Sequence, residues 1–313
     1  MKDVHNPAEL ISEGLSLKCN PLKYLHLGKN KSIGLVFFNS SLRTRLSTQK
    51  AALNLGLNVM LINIGADGWS IEFEDGAVMN NTSVEHIKDA AAMLGIYCDI
   101  LAIRCFPGLQ NRELDYEEKI LQQFIKYSKV PVISMESATL HPLQSLADMI
   151  TIAEFKKNKS PKIVLTWAPH IKPLPQAVAN SFSEWTLHCG YNLTITHPEG
   201  YELNKQFTEG ANIEYNQQKA LENADFVYVK NWSSFQDYGK ILPVNENWLL
   251  NNESLKNTNN AKIMHCLPVR RNVELTDELL DSETSLIHHQ AENRIYATQI
   301  VLKKIIESIS NEG

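Results

Sequence analysis

Six consecutive residues, Ser40-Ser41-Leu42-Arg43-Thr44-Arg45, put three hydroxyls and two guanidinium groups directly after an apolar run and directly before a helical pattern. The first turn of a helix carries backbone N–H groups without intrahelical partners and the positive end of the helix dipole, so it suits a dianionic phosphate. Arg43 would add charge-assisted, bidentate bonds to it. The same residues would also make an ordinary capped helix with solvated arginines, since serine is a common N-cap. His141-Pro142-Leu143-Gln144 is a second such junction. Proline fits the first helical turn, and His141 falls at a strand's carboxyl end, where α/β sheets bind ligands; otherwise it caps the helix. His265-Cys266-Leu267-Pro268-Val269-Arg270-Arg271 ends a third strand on a proline and two arginines, which meet an anion or form surface pairs. Cys266 is a formal candidate for a thiol nucleophile. However, neighbours on a strand point to opposite faces, so adjacency to His265 makes no Cys–His dyad. Arg104, Glu136 and Lys230 each close a further strand and are site candidates, as is His170 in the three-proline loop Trp167–Pro175. Loop-facing charges and a stiff connection are the plainer alternatives.

The elements that must hold these residues are legible as apolar runs of strand length, most of them rich in Val and Ile: Ile33–Phe38, Asn58–Ile64, Asp99–Cys105, Val130–Met135, Lys162–Ala168, Asn192–Pro198, Asp225–Asn231 and Lys262–Pro268. Helical patterns lie between many of them. Leu46–Leu55 is expected to end at Gly56 and Glu85–Leu94 at Gly95, each a natural helix-terminating glycine. Asp115–Lys129 aligns Ile120, Leu121, Phe124 and Ile125 on one stripe. Alternation of helices with near-continuous apolar strands predicts an α/β fold with parallel sheets. A helix over about Leu143–Lys157, followed by a fresh strand, is the expected link between two α/β halves. Ala291–Ser308, with Ile295, Ala297, Ile300, Val301, Ile305 and Ile306, reads as a long amphipathic helix with a buried face.

Composition narrows the function classes. A chain of 313 residues, 43% hydrophobic and 21% charged, has globular proportions and a prior of about two domains. The net charge of −5 argues against nucleic acid or an anionic membrane as a partner. No apolar run approaches the roughly 20 residues of a membrane span, and MKDVHNPAELISEG lacks a signal-peptide core, so a cytoplasmic protein is expected. Five widely spaced cysteines without a CxxC predict neither a disulfide framework nor a zinc site. The dinucleotide fingerprint GxGxxG, the phosphate loop GxxxxGK[ST] and the metal motif HExxH are all missing from the sequence.

Taken in order, Ser41-x-Arg43-Thr44-Arg45, Arg104, His141-Pro-x-Gln144, His265-Cys-Leu-Pro268 and Arg294 within Ala291-Glu-Asn-Arg resemble the transcarbamylases (carbamoyltransferases) over essentially the whole chain. The resemblance implies two parallel α/β domains of the aspartate/ornithine carbamoyltransferase type. Residues 1–140, rejoined by a C-terminal helix 291–313, would bind carbamoyl phosphate; residues 141–290 would bind the amine. It also implies a homotrimer with sites shared at subunit borders. By the same resemblance Ser41, the Leu42 backbone, Arg43 and Thr44 hold the phosphate. Arg104, His141 and Thr44 polarise the carbonyl and stabilise the tetrahedral oxyanion. Gln144 and the carbonyls of Cys266 and Leu267 bind the carbamoyl NH₂, and Arg294 adds charge near the same ligand. Chemistry that positions, desolvates and stabilises charge calls for no metal or organic cofactor.

The amine is read from the second half. Ornithine transcarbamylases carry an Asp-x-x-x-Ser-Met-Gly stretch that grips a free α-amino group; here the strand reads Asp225-Phe-Val-Tyr-Val-Lys230-Asn231-Trp232. A lysine suits a carboxylate, not an ammonium. Phe37-Phe38-Asn39, Trp69 in Asp67-Gly68-Trp69, Met135-Glu136, the Trp167–Pro175 loop and Lys230-Asn231-Trp232 resemble the acylornithine branch. In that branch Trp69 would reach a neighbouring subunit's site, Glu136, His170 and Lys230 would contact the acylated amino acid, and Arg270 would join them. The proline-rich loop would be threaded, giving a knotted chain. Acetyl enzymes carry a glutamate just before Glu85-His86, succinyl enzymes a proline; here Val84 stands there. Valine neither repels nor crowds a second carboxylate. The expected activity is carbamoyl transfer from carbamoyl phosphate to N-succinyl-L-ornithine in arginine biosynthesis, with N-acetyl-L-ornithine and then ornithine as the alternative amines. A paralogue that keeps the fold without catalysis is opposed by the intact Arg43, Arg104, His141 and Gln144.

Overall fold

A computed structural model describes residues 3–66 and 68–311; Asp67 and the last two residues of the expected terminal segment lie outside the described residues. The strands are β1 (Ser32–Phe37), β2 (Asn58–Asn63), β3 (Ile71–Glu72), β4 (Glu85–His86), β5 (Ile100–Arg104), β6 (Val132–Glu136), β7 (Lys162–Trp167), β8 (Asn192–Thr196), β9 (Asn212–Glu214), β10 (Phe226–Lys230) and β11 (Lys262–Met264). They form a four-stranded sheet in the order β2-β1-β5-β6, a five-stranded sheet in the order β11-β10-β7-β8-β9, and the small pair β3-β4. Every pairing is parallel. All eight apolar runs therefore contain strands, the last only over Lys262–Met264, so that His265 and Cys266, expected as neighbours on that strand, lie just beyond its end. The central β5 and β10 are buried along their whole length, as expected of strands covered on both faces.

The helix Leu42–Asn54 begins earlier than its apolar pattern, because Ser41 caps it by accepting the Thr44 N–H at 3.3 Å. Its far end is Gly56 at φ +81°, where a Cβ would sit 2.2 Å from the Leu25 carbonyl oxygen. Gly95 behaves differently from expectation. The helix Ile87–Tyr97 runs through it, and the glycine is needed there because a Cβ would lie 1.9 Å from Ser128 O. The single helix expected over Asp115–Lys129 is two, Arg112–Tyr116 and Lys119–Tyr127, broken at Glu118 with φ 53°. The Glu118 carboxylate accepts from Ser137 Oγ (2.7 Å), Ala138 N (3.2 Å) and Thr139 N (2.8 Å). Those bonds clamp the loop ahead of His141 and favour the break over a continuous helix.

The C-terminal helix Ile287–Asn311 joins the halves. Tyr296, Ala297 and Ile300 pack in the core of the five-stranded sheet with Ile150, Trp185 and Tyr228. Leu302 and Ile306 pack in the core of the four-stranded sheet with Ile33, Leu35 and Ala51. Each fully buried Leu or Ile of this kind contributes roughly 1.5–3 kcal/mol. The first helix, Pro7–Cys19, adds Leu10, Ile11 and Leu17 to the larger of these cores. Among the described residues no helix is long and apolar enough to cross a membrane.

Candidate active site

In a parallel sheet the carboxyl ends of all strands face one way, so residues that close different strands converge. Here they line one cavity of about 780 Å³. The four-stranded sheet contributes Ser41–Thr44 after β1, Arg104 at the end of β5, and Glu136 and His141 around the end of β6. The five-stranded sheet contributes His170 after β7, Lys230 at the end of β10, and Cys266, Leu267 and Arg270 after β11. Gln144 comes from the helix Pro142–Phe155 and Arg294 from the C-terminal helix.

A register shift between β5 and β6 at Ile103/Arg104 sets Arg104 opposite Glu136. Arg104 Nη2 donates to Glu136 Oε2 at 3.0 Å, and Nη1 donates to the carbonyls of Asn39 (3.0 Å) and Ser40 (3.1 Å). The arginine is thereby tied to the loop that enters the Ser41 helix. Its guanidinium also lies 4.1 Å from the Phe106 ring centre. His141 stands at the N-cap position of its helix, but its side chain makes no cap bond. Its Nε2 is 3.3 Å from Glu136 Oε2, and its Nδ1 is buried without a partner. Burial first, then the charges of Arg294, Arg104 and Lys230, hold this imidazole well below its ordinary range, so it is neutral at pH 7. Burial pushes the Glu136 carboxyl up, against the pull of Arg104, Arg294 and Lys230.

Arg294 Nη1 donates to Gln144 Oε1 (2.7 Å) and Nη2 to Thr44 Oγ1 (2.6 Å), joining the C-terminal helix to both helix starts. Arg43 is half-buried on the cavity wall, and among the described residues no carboxylate pairs with it. Arg45 turns away from the cavity, over the Phe37 ring at 5.2 Å and towards Asn63.

The turn after β11 separates the alternatives left open there. His265 Nδ1 accepts the Leu267 N–H at 2.9 Å, and its Nε2 faces Glu274 Oε1 at 3.4 Å, so both ring nitrogens are engaged away from Cys266. Burial pushes the Cys266 thiol up, which removes thiolate character. Leu267 adopts φ 55°, a conformation that a branched side chain enters only under constraint. Arg270 faces the cavity, its Nε donating to His170 Nε2 at 3.1 Å. His170 Nδ1 then carries the proton and donates to Lys172 O at 2.8 Å. Burial is the main reason this ring stays below its ordinary pKa. Arg271 is a surface pair instead, on Asp277 (2.8 Å) and Asp281 (2.7 Å).

Two candidates stand apart. Trp69, 56% exposed, donates its indole N–H to Glu85 Oε2 at 2.7 Å, and Val84, 64% exposed, flanks β4; neither lines the cavity. Sequence reasoning missed the lining residues Phe106 and Val178, which belong to no polar motif, and within the Trp167–Pro175 loop it picked out His170 but not Lys172. It also missed Glu274, a buried carboxylate that fixes His265 and accepts the Arg270 N–H at 2.6 Å.

Residues 3–154 match the family model "Aspartate/ornithine carbamoyltransferase, carbamoyl-P binding domain", and residues 175–305 match "Aspartate/ornithine carbamoyltransferase, Asp/Orn binding domain". The chain is 49% identical over 311 residues to an N-succinylornithine carbamoyltransferase of Bacteroides fragilis (strain 638R), covering 99% of this chain and 98% of that one. It is 35% identical over 299 residues to an N-acetylornithine carbamoyltransferase of Xanthomonas campestris pv. campestris, covering 89% and 88%. A crystal structure of an N-acetyl-L-ornithine transcarbamylase variant, one glutamate replaced by valine, complexed with carbamyl phosphate and N-succinyl-L-norvaline, superposes with a TM-score of 0.88 at 34% identity over 96% of each chain.

Proposed function

Because this chain belongs to the aspartate/ornithine carbamoyltransferase family, in its acylornithine branch, we propose that it transfers the carbamoyl group of carbamoyl phosphate to the δ-amine of N-succinyl-L-ornithine. The products are N-succinyl-L-citrulline and phosphate, and the setting is arginine biosynthesis in the cytoplasm. The observation that carries the reading is a single cavity that holds a capped helix start with Arg43, with which no carboxylate among the described residues pairs, the buried Arg104–Glu136–His141 group, and the cations Lys230 and Arg270.

In this reading the phosphate sits on the Ser41–Thr44 helix start and Arg43. Arg104, Thr44 and the neutral His141 polarise the carbonyl and hold the oxyanion as the amine attacks. Arg104 needs no reorganisation for this, being already fixed by Glu136 and two backbone carbonyls. Gln144 and the carbonyls of Cys266 and Leu267 accept from the carbamoyl NH₂, with Arg294 alongside. Glu136, His170, Lys230 and Arg270 receive the acylated amino acid. Trp69 and Val84 serve the site of a neighbouring subunit in a homotrimer. Residues 1–140 with the C-terminal helix 291–313 form the carbamoyl-phosphate domain, residues 141–290 form the acylornithine domain, and the Trp167–Pro175 loop is threaded into a knot.

The succinyl assignment is supported by the 49% identical relative and by Val84 in place of a glutamate. Variants of the N-acetyl-L-ornithine enzyme with one glutamate changed to alanine, valine, serine or proline were solved with N-succinyl-L-norvaline bound. A steady-state assay with carbamoyl phosphate and the three amines tests it. N-succinyl-L-ornithine should have the highest kcat/KM, and Val84→Glu should lower that value at least about tenfold, the order of one charge repulsion at reduced dielectric. A preference for N-acetyl-L-ornithine in the unaltered chain would sink the succinyl reading.

A further inference from the structure

Asp148 lies one turn beyond Gln144 on the helix Pro142–Phe155; it is fully buried and has no part in the chemistry above. Its Oδ1 accepts two side-chain amides at 2.7 Å, Gln144 Nε2 from the preceding turn and Gln290 Nε2 from the C-terminal helix. Both amides therefore point nitrogen towards Asp148 and oxygen away. Gln144 Oε1 is left to Arg294 Nη1, which occupies one of its two lone pairs beside the cavity. Gln290 Oε1 accepts the His265 N–H at 2.9 Å and so anchors the chain just ahead of Cys266 and Leu267. These are the two sets of acceptors that the proposed function gives to the carbamoyl NH₂.

We propose that Asp148 is a positioning residue that aims both sets of acceptors into the cavity, so that the site demands an NH₂ group, rather than a methyl group, on the acyl phosphate. The inference rests on the carbamoyl-phosphate reading. A primary amide turned end for end costs almost nothing sterically, so only its hydrogen-bond partners decide which end faces the ligand. With Gln144 reversed, an NH₂ donor would meet the Arg294 guanidinium and the ligand's own NH₂. A site built of acceptors rejects an analogue that cannot donate, because the acceptors are then left unpaired. Burial pushes the Asp148 carboxyl up to about 7. A proton there belongs on Oδ2, which neither amide engages; the Tyr228 hydroxyl lies beside this carboxyl. Oδ1 thus stays an acceptor in both protonation states, as it would in an asparagine.

The test compares Asp148→Leu, which has no acceptor, with Asp148→Asn, which keeps one. Asp148→Leu should lower kcat/KM for carbamoyl phosphate on the order of 100-fold, and the preference for carbamoyl phosphate over acetyl phosphate, read from competitive inhibition, should fall at least about tenfold. Its affinity for inorganic phosphate should stay within about threefold, because the phosphate cradle is untouched. Asp148→Asn should retain the unaltered preference. The proposal is overturned if Asp148→Leu keeps that preference, or if Asp148→Asn loses it equally. Should Asp148→Leu not fold, a crystal structure of the unaltered chain with carbamoyl phosphate decides. Gln144 Oε1 within about 3.2 Å of the ligand's NH₂, with Nε2 still on Asp148, is expected; a reversed or disengaged amide overturns it. An unaltered chain that neither binds nor consumes carbamoyl phosphate removes the proposed function and this inference together, an outcome distinct from a failure of Asp148 alone.

Discussion

Arg43 depresses the pKa of both Arg104 and Arg294 through like-charge repulsion, with burial the larger cause in each case. Four guanidinium groups, those of Arg43, Arg104, Arg270 and Arg294, line the cavity, and among the described residues Glu136 is the only carboxylate in its wall. A dianion relieves that repulsion, so Arg43→Ala should weaken carbamoyl phosphate binding by about 2–3 kcal/mol, the scale of a charge-assisted contact. Titration calorimetry reads this directly, and an unchanged affinity would place the phosphate elsewhere. Arg43, Arg104, His141 and Lys230 were legible because a charged or titratable side chain at the end of an apolar run is conspicuous. What the run does not reveal is the partner. Arg45 and Arg271 look like Arg43 and Arg270 in sequence, yet one lies over Phe37 and the other on Asp277 and Asp281. Asp148 left a faint trace, since Gln144 and Asp148 are four apart on a helix, a spacing at which such pairs hydrogen-bond.

The strands were the most readable elements, because burial on both faces writes itself as an unbroken apolar run. Edge strand β9, with Ile213 between Asn212 and Glu214, has no such run and was invisible. Glycines were readable only where local geometry decides. Gly56 ends its helix through its own positive φ, a local property. Gly95 answers to Ser128, a residue 33 positions away, and no local pattern encodes that contact. Gly95→Ala should therefore destabilise the protein far beyond its helix propensity, which alone favours alanine by about 1 kcal/mol. A methyl group 1.9 Å from a backbone carbonyl forces two packed segments apart, an overpacking cost of about 1–3 kcal/mol after the propensity gain. Urea unfolding checks this: the midpoint should fall with an unchanged slope, and a variant as stable as the parent would mean that the Ser128 loop yields freely.

At the scale of the molecule, the C-terminal helix couples two cores and the cavity between the sheets, so stability and site chemistry share residues. Asp148 is the clearest case. Its pKa is raised from 3.8 to about 7, chiefly by burial, with Gln290, Gln144, Tyr228 and Arg294 opposing the rise and Cys266 also nearby. The folded state then retains a proton that the unfolded chain releases. This group's contribution is complete below about pH 4, declines between about 4 and 7, and stays at its low value above that. Asp148→Asn, which cannot ionise, should remove on the order of 2–3 kcal/mol from the stability difference between pH 5 and pH 8. Unfolding titrations at the two pH values would expose an unshifted group as no change in that difference. The large exposed residues were the hardest to interpret from sequence, because apolar side chains on the surface acquire meaning only from what covers them. Trp69 and Val84 lie outside the cavity, and in the proposed homotrimer with shared sites they would complete a neighbour's cavity. Trp69→Ala and Arg104→Ala then damage the same site from different subunits. In a closed ring each cavity takes its arginine from one subunit and its tryptophan from the next. Random mixing of the two variants in equal amounts leaves about one cavity in four with both residues intact. Two nearly inactive proteins, dissociated and reassembled together, should accordingly recover about a quarter of the parent activity. Mixed trimers verified by mass spectrometry that stay inactive would show that each subunit builds its site alone.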